Sequence, residues 1–154
     1  MFEIGDNIMY PMHGAGVIRG IEEKEIQGVT RKYYEIQLPM HNMQLLIPID
    51  QGNSRIRLVA DALSMDLVLD IFHHGESDPS LTWKQRYKIN SDKMKTGSLQ
   101  EGAEVVRDLR RMQNEKKLSS NEKHMLDKAS LILIEELSLI MGITEGQAAE
   151  LLKI

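Results

Sequence analysis

The sequence predicts an α+β chain in two parts, a small antiparallel β-barrel over residues 1–60 followed by an all-α unit over residues 61–154. Three observations carry this. Up to about residue 60 short apolar runs appear, the clearest of them alternating with period two, and turn residues interrupt them about every ten residues. Beyond that point the apolar period lengthens to that of a helix, and serine and threonine caps recur.

In the first part the strand-like runs are residues 7–10, 16–21, 33–38 and 44–49. Tyr33, Glu35 and Gln37 alternate with Tyr34, Ile36 and Leu38, as in a half-buried strand. Pro11 with Gly14 and Gly16, then Gly28, then residues 39–42 separate the runs at the spacing of a compact barrel of about five strands. Gly14, Gly16 and Gly20 read as turn glycines and not as a dinucleotide fingerprint, because no helix follows them. His13 belongs to the turn between Pro11 and Gly14.

In the second part Ser64 is placed to cap a short apolar helix over residues 64–74, and the polar residues 75–80 form a loop after it, these two joining the domains. A helix over about 81–95 follows, with Gly97 as its stop. Ser98 with Glu101, Ser119 with Glu122 and Thr144 with Gln147 have the spacing of capping boxes. They start helices over about 98–114, 119–141 and 144–153, the second ending at Gly142. Ala129, Ile132, Leu133, Glu136, Leu137 and Ile140 include an apolar stripe able to anchor a small helical core.

Composition narrows the function classes. Hydrophobic residues at 42% and charged residues at 27% place the chain among folded proteins and away from disorder. With no cysteine there is neither a disulfide framework nor a thiolate metal site, and a reducing compartment suits the chain. No basic stretch followed by an apolar run opens the sequence, and the longest apolar stretch, residues 131–134, is too short for a bilayer, so a cytoplasmic protein without a membrane partner is expected. His13, His41, His73, His74 and His124 include no i, i+4 pair on a helix, so neither a metal nor another cofactor is expected. Adjacent carboxylates such as Glu22 with Glu23 or Glu135 with Glu136 face different directions, and no nucleophile motif is present; an enzyme is not expected. The ten methionines fit adaptable packing.

The net charge of −4 conceals an uneven distribution. Residues 1–78 hold 6 Lys or Arg against 12 Asp or Glu, residues 79–130 hold 12 against 7, and residues 131–154 hold 1 against 4. The middle stretch is thus +5, enough for one anion-facing surface on an acidic chain, or for a merely solvated helix face. Within it Trp83, the only tryptophan, precedes Lys84, Arg86, Lys88, Lys93 and Lys95, with Asp92 the one acid between. An indole flanked by cations suits insertion between base steps while the cations hold phosphates. Packing into the helical core is the commoner use of a lone tryptophan, and the residues alone leave both open.

A resemblance bears on that choice. Gly5, Asp6, Ile8, Tyr10, Pro11, His13, Gly14 and Gly16, followed by Val17 and Ile18, resemble the opening of the RNA-polymerase-interaction domain shared by CarD-type regulators and transcription-repair coupling factors. Trp83, Lys84, Arg86, Tyr87 and Lys88, then residues 103–109, then Leu118, Ser119, Glu122, Lys123, Met125 and Leu126 resemble the C-terminal domain of the CarD/CdnL family. The coupling factors also carry helicase motifs, and no phosphate-binding loop occurs here.

The resemblance implies a Tudor-like, SH3-like β domain bound to the RNA polymerase beta subunit, and a helical domain at the upstream edge of the transcription bubble with the tryptophan as a minor-groove wedge. It implies Trp83, Lys84, Arg86, Lys88 and Lys123 as the DNA-binding residues, and Lys24, Leu46, Ile47 and Pro48 as the polymerase-binding ones. Two positions depart from the family pattern: Leu46 and Gln85 stand where basic residues are often found. The resemblance thus points to a monomeric, non-enzymatic regulator that stabilises open promoter DNA with weak sequence preference. The alternative is a protein-binding scaffold that uses the β module and has no DNA role.

Overall fold

A computed structural model of the protein describes residues 2–39, 42–49 and 56–153. His41 and part of the turn expected over residues 39–42 lie outside the described residues. The chain divides into two compact units, Met1–Val59 and Ala60–Ile154.

The first unit is a sheet of β1 (Asn7–Tyr10), β2 (Gly14–Ile26), β3 (Val29–Leu38), β4 (Met43–Pro48) and β5 (Arg57–Leu58) in the order β4-β3-β2-β1-β5, antiparallel throughout. The expected α+β class holds, the barrel only loosely: the sheet is not closed, and among the described residues β4 and β5 are its two edges. Ile8, Ile18, Tyr34, Ile36, Leu38 and Ile56 form its core, with Phe2, Tyr10, Leu45, Ile47 and Ile49 packed against it. The β1–β2 connection is tight because Met12 takes a positive φ of 70° and the His13 N–H donates to the Tyr10 carbonyl at 2.9 Å. β2 and β3 run on well past the apolar runs that announce them. They turn at Gln27 (φ 53°) and Gly28 (φ 78°), successive left-handed residues that match the twist of a two-residue hairpin, for which glycine carries no Cβ penalty.

The second unit comprises α1 (Ala62–His74), α2 (Trp83–Thr96), α3 (Leu99–Glu115), α4 (Ser120–Met141) and α5 (Glu145–Leu151). α3 packs against α1, α2 and α4, and α5 packs on α4. Leu99, Ala103, Val106 and Leu109 from α3 meet the buried stripe Leu126, Ala129, Leu133 and Leu137 of α4, with Met65, Val68 and Phe72 completing the core from α1. Asp61, not Ser64, caps α1: its carboxylate accepts from the Ser64 N–H at 2.8 Å, which also holds the Asp61 pKa below its ordinary value. The start lies three residues upstream of the expected one, since aspartate caps a helix as well as serine does and residues 62–64 continue the helix. Gly97 and Gly142 end α2 and α4 in the left-handed conformation.

Two of the three expected capping boxes are half made. Ser98 and Ser119 accept from the Glu101 and Glu122 N–H groups, but the glutamate side chains turn elsewhere: Glu101 accepts from the Thr96 hydroxyl, and Glu122 from Arg86. Thr144 with Gln147 closes fully, and so does a fourth pair, Thr82 with Gln85.

The loop after α1 is organised from α3. Arg107, 4% exposed, donates to the Ile71 carbonyl at 3.2 Å, the Glu76 carbonyl at 2.9 Å and Asp108 at 2.8 Å. Arg111 donates to the Gly75 carbonyl at 2.7 Å and the Ser77 hydroxyl at 2.9 Å. A Cβ on Gly75 would lie 2.3 Å from the Arg107 guanidinium, so only glycine lets that arginine reach the end of α1. A second tie fastens the other end of the helix: the Ala60 N–H donates to the buried Glu136 carboxylate at 2.9 Å. Among the described residues no helix is long and apolar enough to cross a membrane.

Candidate functional site

The start of α2 is the most unusual surface of the helical unit. The Thr82 N–H donates to the Gln85 side chain at 2.9 Å and the Gln85 N–H to the Thr82 hydroxyl at 3.2 Å, so the first turn is locked from both ends. Gln85, which stands where a basic residue was expected from the resemblance, is therefore spent on capping. Trp83 is the first residue inside the lock. It is 51% exposed, which excludes the core alternative left open by the sequence, and the Lys84 ammonium lies 5.7 Å from its ring centroid. At that distance the cation interacts with the indole face, by about 0.5–1 kcal/mol at an exposed site.

Arg86, three residues on, turns inward. Its Nε and Nη2 donate to the two oxygens of Glu122 at 2.6 and 2.9 Å, with side chains only 12% and 1% exposed. The hydrogen bonds to Glu122 raise the Arg86 pKa further above its ordinary value. Of the residues expected on phosphate this one is committed inside the fold, because a buried carboxylate accepting a two-pronged bond needs its cation there. The pair ties the first turns of α2 and α4 together, and Lys123, next to Glu122 in the first turn of α4, is exposed. Lys88 lies one turn along α2, its ammonium 2.9 Å from both oxygens of Asp92. With exposures of 74% and 54% that pair is a surface one, worth about 0–1 kcal/mol and easily exchanged for another anion. Lys93 is held by Glu104 at 3.3 Å.

The β unit offers a second surface. Register puts Lys24 opposite Arg31, Tyr33 between Glu22 and Pro48, and Glu35 between Gly20 and Leu46, on the face opposite the one that carries Tyr34, Ile36 and Leu38. Lys24, Leu46 and Pro48 therefore share one face, while Ile47 packs against the core on the other. Lys24 lies 3.7 Å from Glu22, and Glu35 accepts from the Gln44 amide.

The sequence singled out Trp83, Lys84, Lys88 and Lys123, read Glu122 as a capping partner of Ser119 and not as the buried acceptor of Arg86, and passed over Thr82. Thr82 could have been found: Thr82 and Gln85 stand at the same spacing as the boxes that were recognised.

Comparison with known proteins covers nearly the whole chain. Residues 2–60 match the CarD-like/TRCF RID domain, and residues 67–153 match the CarD C-terminal domain. The chain is similar to the candidate transcription factor YdeB of Bacillus subtilis strain 168, at 57% identity over 148 residues, covering 96% of this chain and 97% of that protein.

Proposed function

The chain belongs to the CarD family of transcription factors, and from that premise we propose that it binds the RNA polymerase beta subunit through its sheet and stabilises the promoter open complex through the Trp83 end of its helical unit. The observation that carries the reading is the half-exposed tryptophan locked into the first turn of a cation-bearing helix.

In this mechanism Trp83 enters the minor groove at the upstream edge of the bubble. Unstacking a base step costs a few kcal/mol, and stacking on an aromatic returns about 1–3 kcal/mol per base. Lys84, Lys88 and Lys123 meet the phosphates. The amino ends of α2 and α4, tied by the Arg86–Glu122 pair, would add the positive ends of helix dipoles. Arg86 acts chiefly by holding that arrangement. Such contacts are to backbone and shape, so sequence preference is weak.

Three neutralised phosphates would give a salt slope of roughly −2.7 and unaided affinity near the non-specific range of about 10⁻⁴ to 10⁻⁶ M. Docking of the β unit on polymerase makes that sufficient, since a tethered second site works at an effective concentration of order millimolar. The protein is then a monomeric cytoplasmic regulator without catalytic chemistry.

The test uses the single tryptophan as its own reporter. Fork-junction DNA added together with polymerase should change Trp83 fluorescence, and DNA alone at physiological salt should change it little. Unaltered fluorescence under conditions where the ternary complex forms would refute the wedge and leave the protein-binding scaffold.

A further inference from the structure

The β2–β3 hairpin outruns the sheet that supports it. β4 leaves β3 at the Ile49 N–H to Lys32 carbonyl bond of 3.0 Å, and β1 pairs with β2 only over Gly14–Val17, so residues 24–31 form a two-stranded ribbon. A ribbon without a third strand has no core of its own to dictate its side chains. Its two faces nevertheless differ. One carries Glu23 opposite Lys32 and Glu25 opposite Thr30; the other carries Lys24 opposite Arg31 and, at the tip, Ile26 opposite Val29.

Like charges directly opposite on an antiparallel pair destabilise it, where Glu23 and Lys32 show the favourable arrangement. Lys24 is partly relieved by Glu22, but Arg31 has no ion pair among the described residues. Ile26 and Val29 stand 51% and 49% exposed beside this cation pair. Among the described residues Arg31 thus has no counter-charge and the apolar tip is half exposed, and a surface presenting carboxylates around an apolar contact would complement both.

We propose that the Lys24–Arg31 pair and the Ile26–Val29 tip form one docking face for an acid-rimmed apolar patch on RNA polymerase. Arg31 supplies the second cation that the sequence lacks at Leu46, which lies roughly 13 Å away along the same face. The inference rests on the polymerase-binding reading above and adds to it a residue and a partner chemistry.

The test measures binding of the full chain to core polymerase by biolayer interferometry at about 0.1 and 0.4 M salt. Arg31→Ala should weaken binding about tenfold at the lower salt and by less at the higher, while thermal unfolding stays level or rises because a like-charge contact is gone. Arg31→Lys should restore most of the affinity, and so should adding Leu46→Arg to Arg31→Ala. If the wild-type chain binds and Arg31→Ala stays within about twofold of it, or its loss is independent of salt, the docking face is refuted and polymerase binding stands. If the wild-type chain does not bind polymerase, both fall.

Discussion

Two cationic stretches of the helical unit have similar composition and opposite uses. At the end of α3, Arg107, Arg110 and Arg111 turn inward and donate to backbone carbonyls: Ile71 and Glu76, Leu152, and Gly75. Burial lowers the Arg110 pKa, as it should for a charge drawn out of water. At the start of α2, Lys84 and Lys88 stay in solvent near an exposed tryptophan, and Lys123 in the first turn of α4 is exposed as well. A positive middle third is thus not one surface. About half of it fastens the fold, and the residue types follow: arginine, with its planar fork, where carbonyls are gathered, and lysine, a hydrated point charge, where the cation stays in water.

The contrast is broken most severely at Arg107. Arg107→Ala takes the guanidinium from the Glu76 carbonyl, from the Ile71 carbonyl, which keeps the Gly75 N–H, and from the part-buried Asp108, which keeps the Ser77 hydroxyl. It should cost about 3–5 kcal/mol of stability, read by urea denaturation. A loss below about 1 kcal/mol would mean that the inward arginines are ornamental.

Arg86 stands between the two classes, on the exposed helix but with an inward partner. Arg86→Ala should resemble Arg107→Ala on a smaller scale, about 2–3 kcal/mol, since it strands the buried Glu122. A stable Arg86→Ala protein that loses DNA in a salt-dependent manner would move the residue to the phosphate-binding class.

Trp83→Ala should change stability by less than about 0.5 kcal/mol, yet shorten open-complex lifetime roughly 5-fold to 150-fold, the equivalent of a lost stacking contact of about 1–3 kcal/mol. Thermal unfolding and open-complex decay on the same preparation check both halves. The smallest expected effect is that of Lys88→Glu with Lys123→Glu: unfolding unchanged, and a DNA defect that shrinks as salt rises. A defect of equal size at all salt concentrations would indicate misfolding instead.

The sequence made the elements legible wherever apolar period and punctuation agreed. β1 and the caps of α3, α4 and α5 are such cases. It concealed the outer half of the β2–β3 hairpin, because residues 22–25 and 30–32 carry charge or threonine on both faces and show no apolar alternation to read. Sheet closure was equally hidden: whether strands end in edges depends on pairings between distant residues. For the candidate site, residue types were legible and commitments were not. Arg86 and Lys88 look alike in the string, and only the position of Glu122, 36 residues away, separates a buried tie from an exposed cation.

The locked first turn of α2 also bears on how long a complex lasts. Thr82 and Gln85 fix the backbone on either side of Trp83, so under the proposed mechanism the indole would meet the base stack with only its own two torsions left to freeze. Little ordering entropy is then lost on binding, and the stacking energy goes almost whole into residence time. Loosening the lock, as by Thr82→Ala, would leave the same indole with the same contacts on a frayed helix end, and its hold on DNA would be briefer.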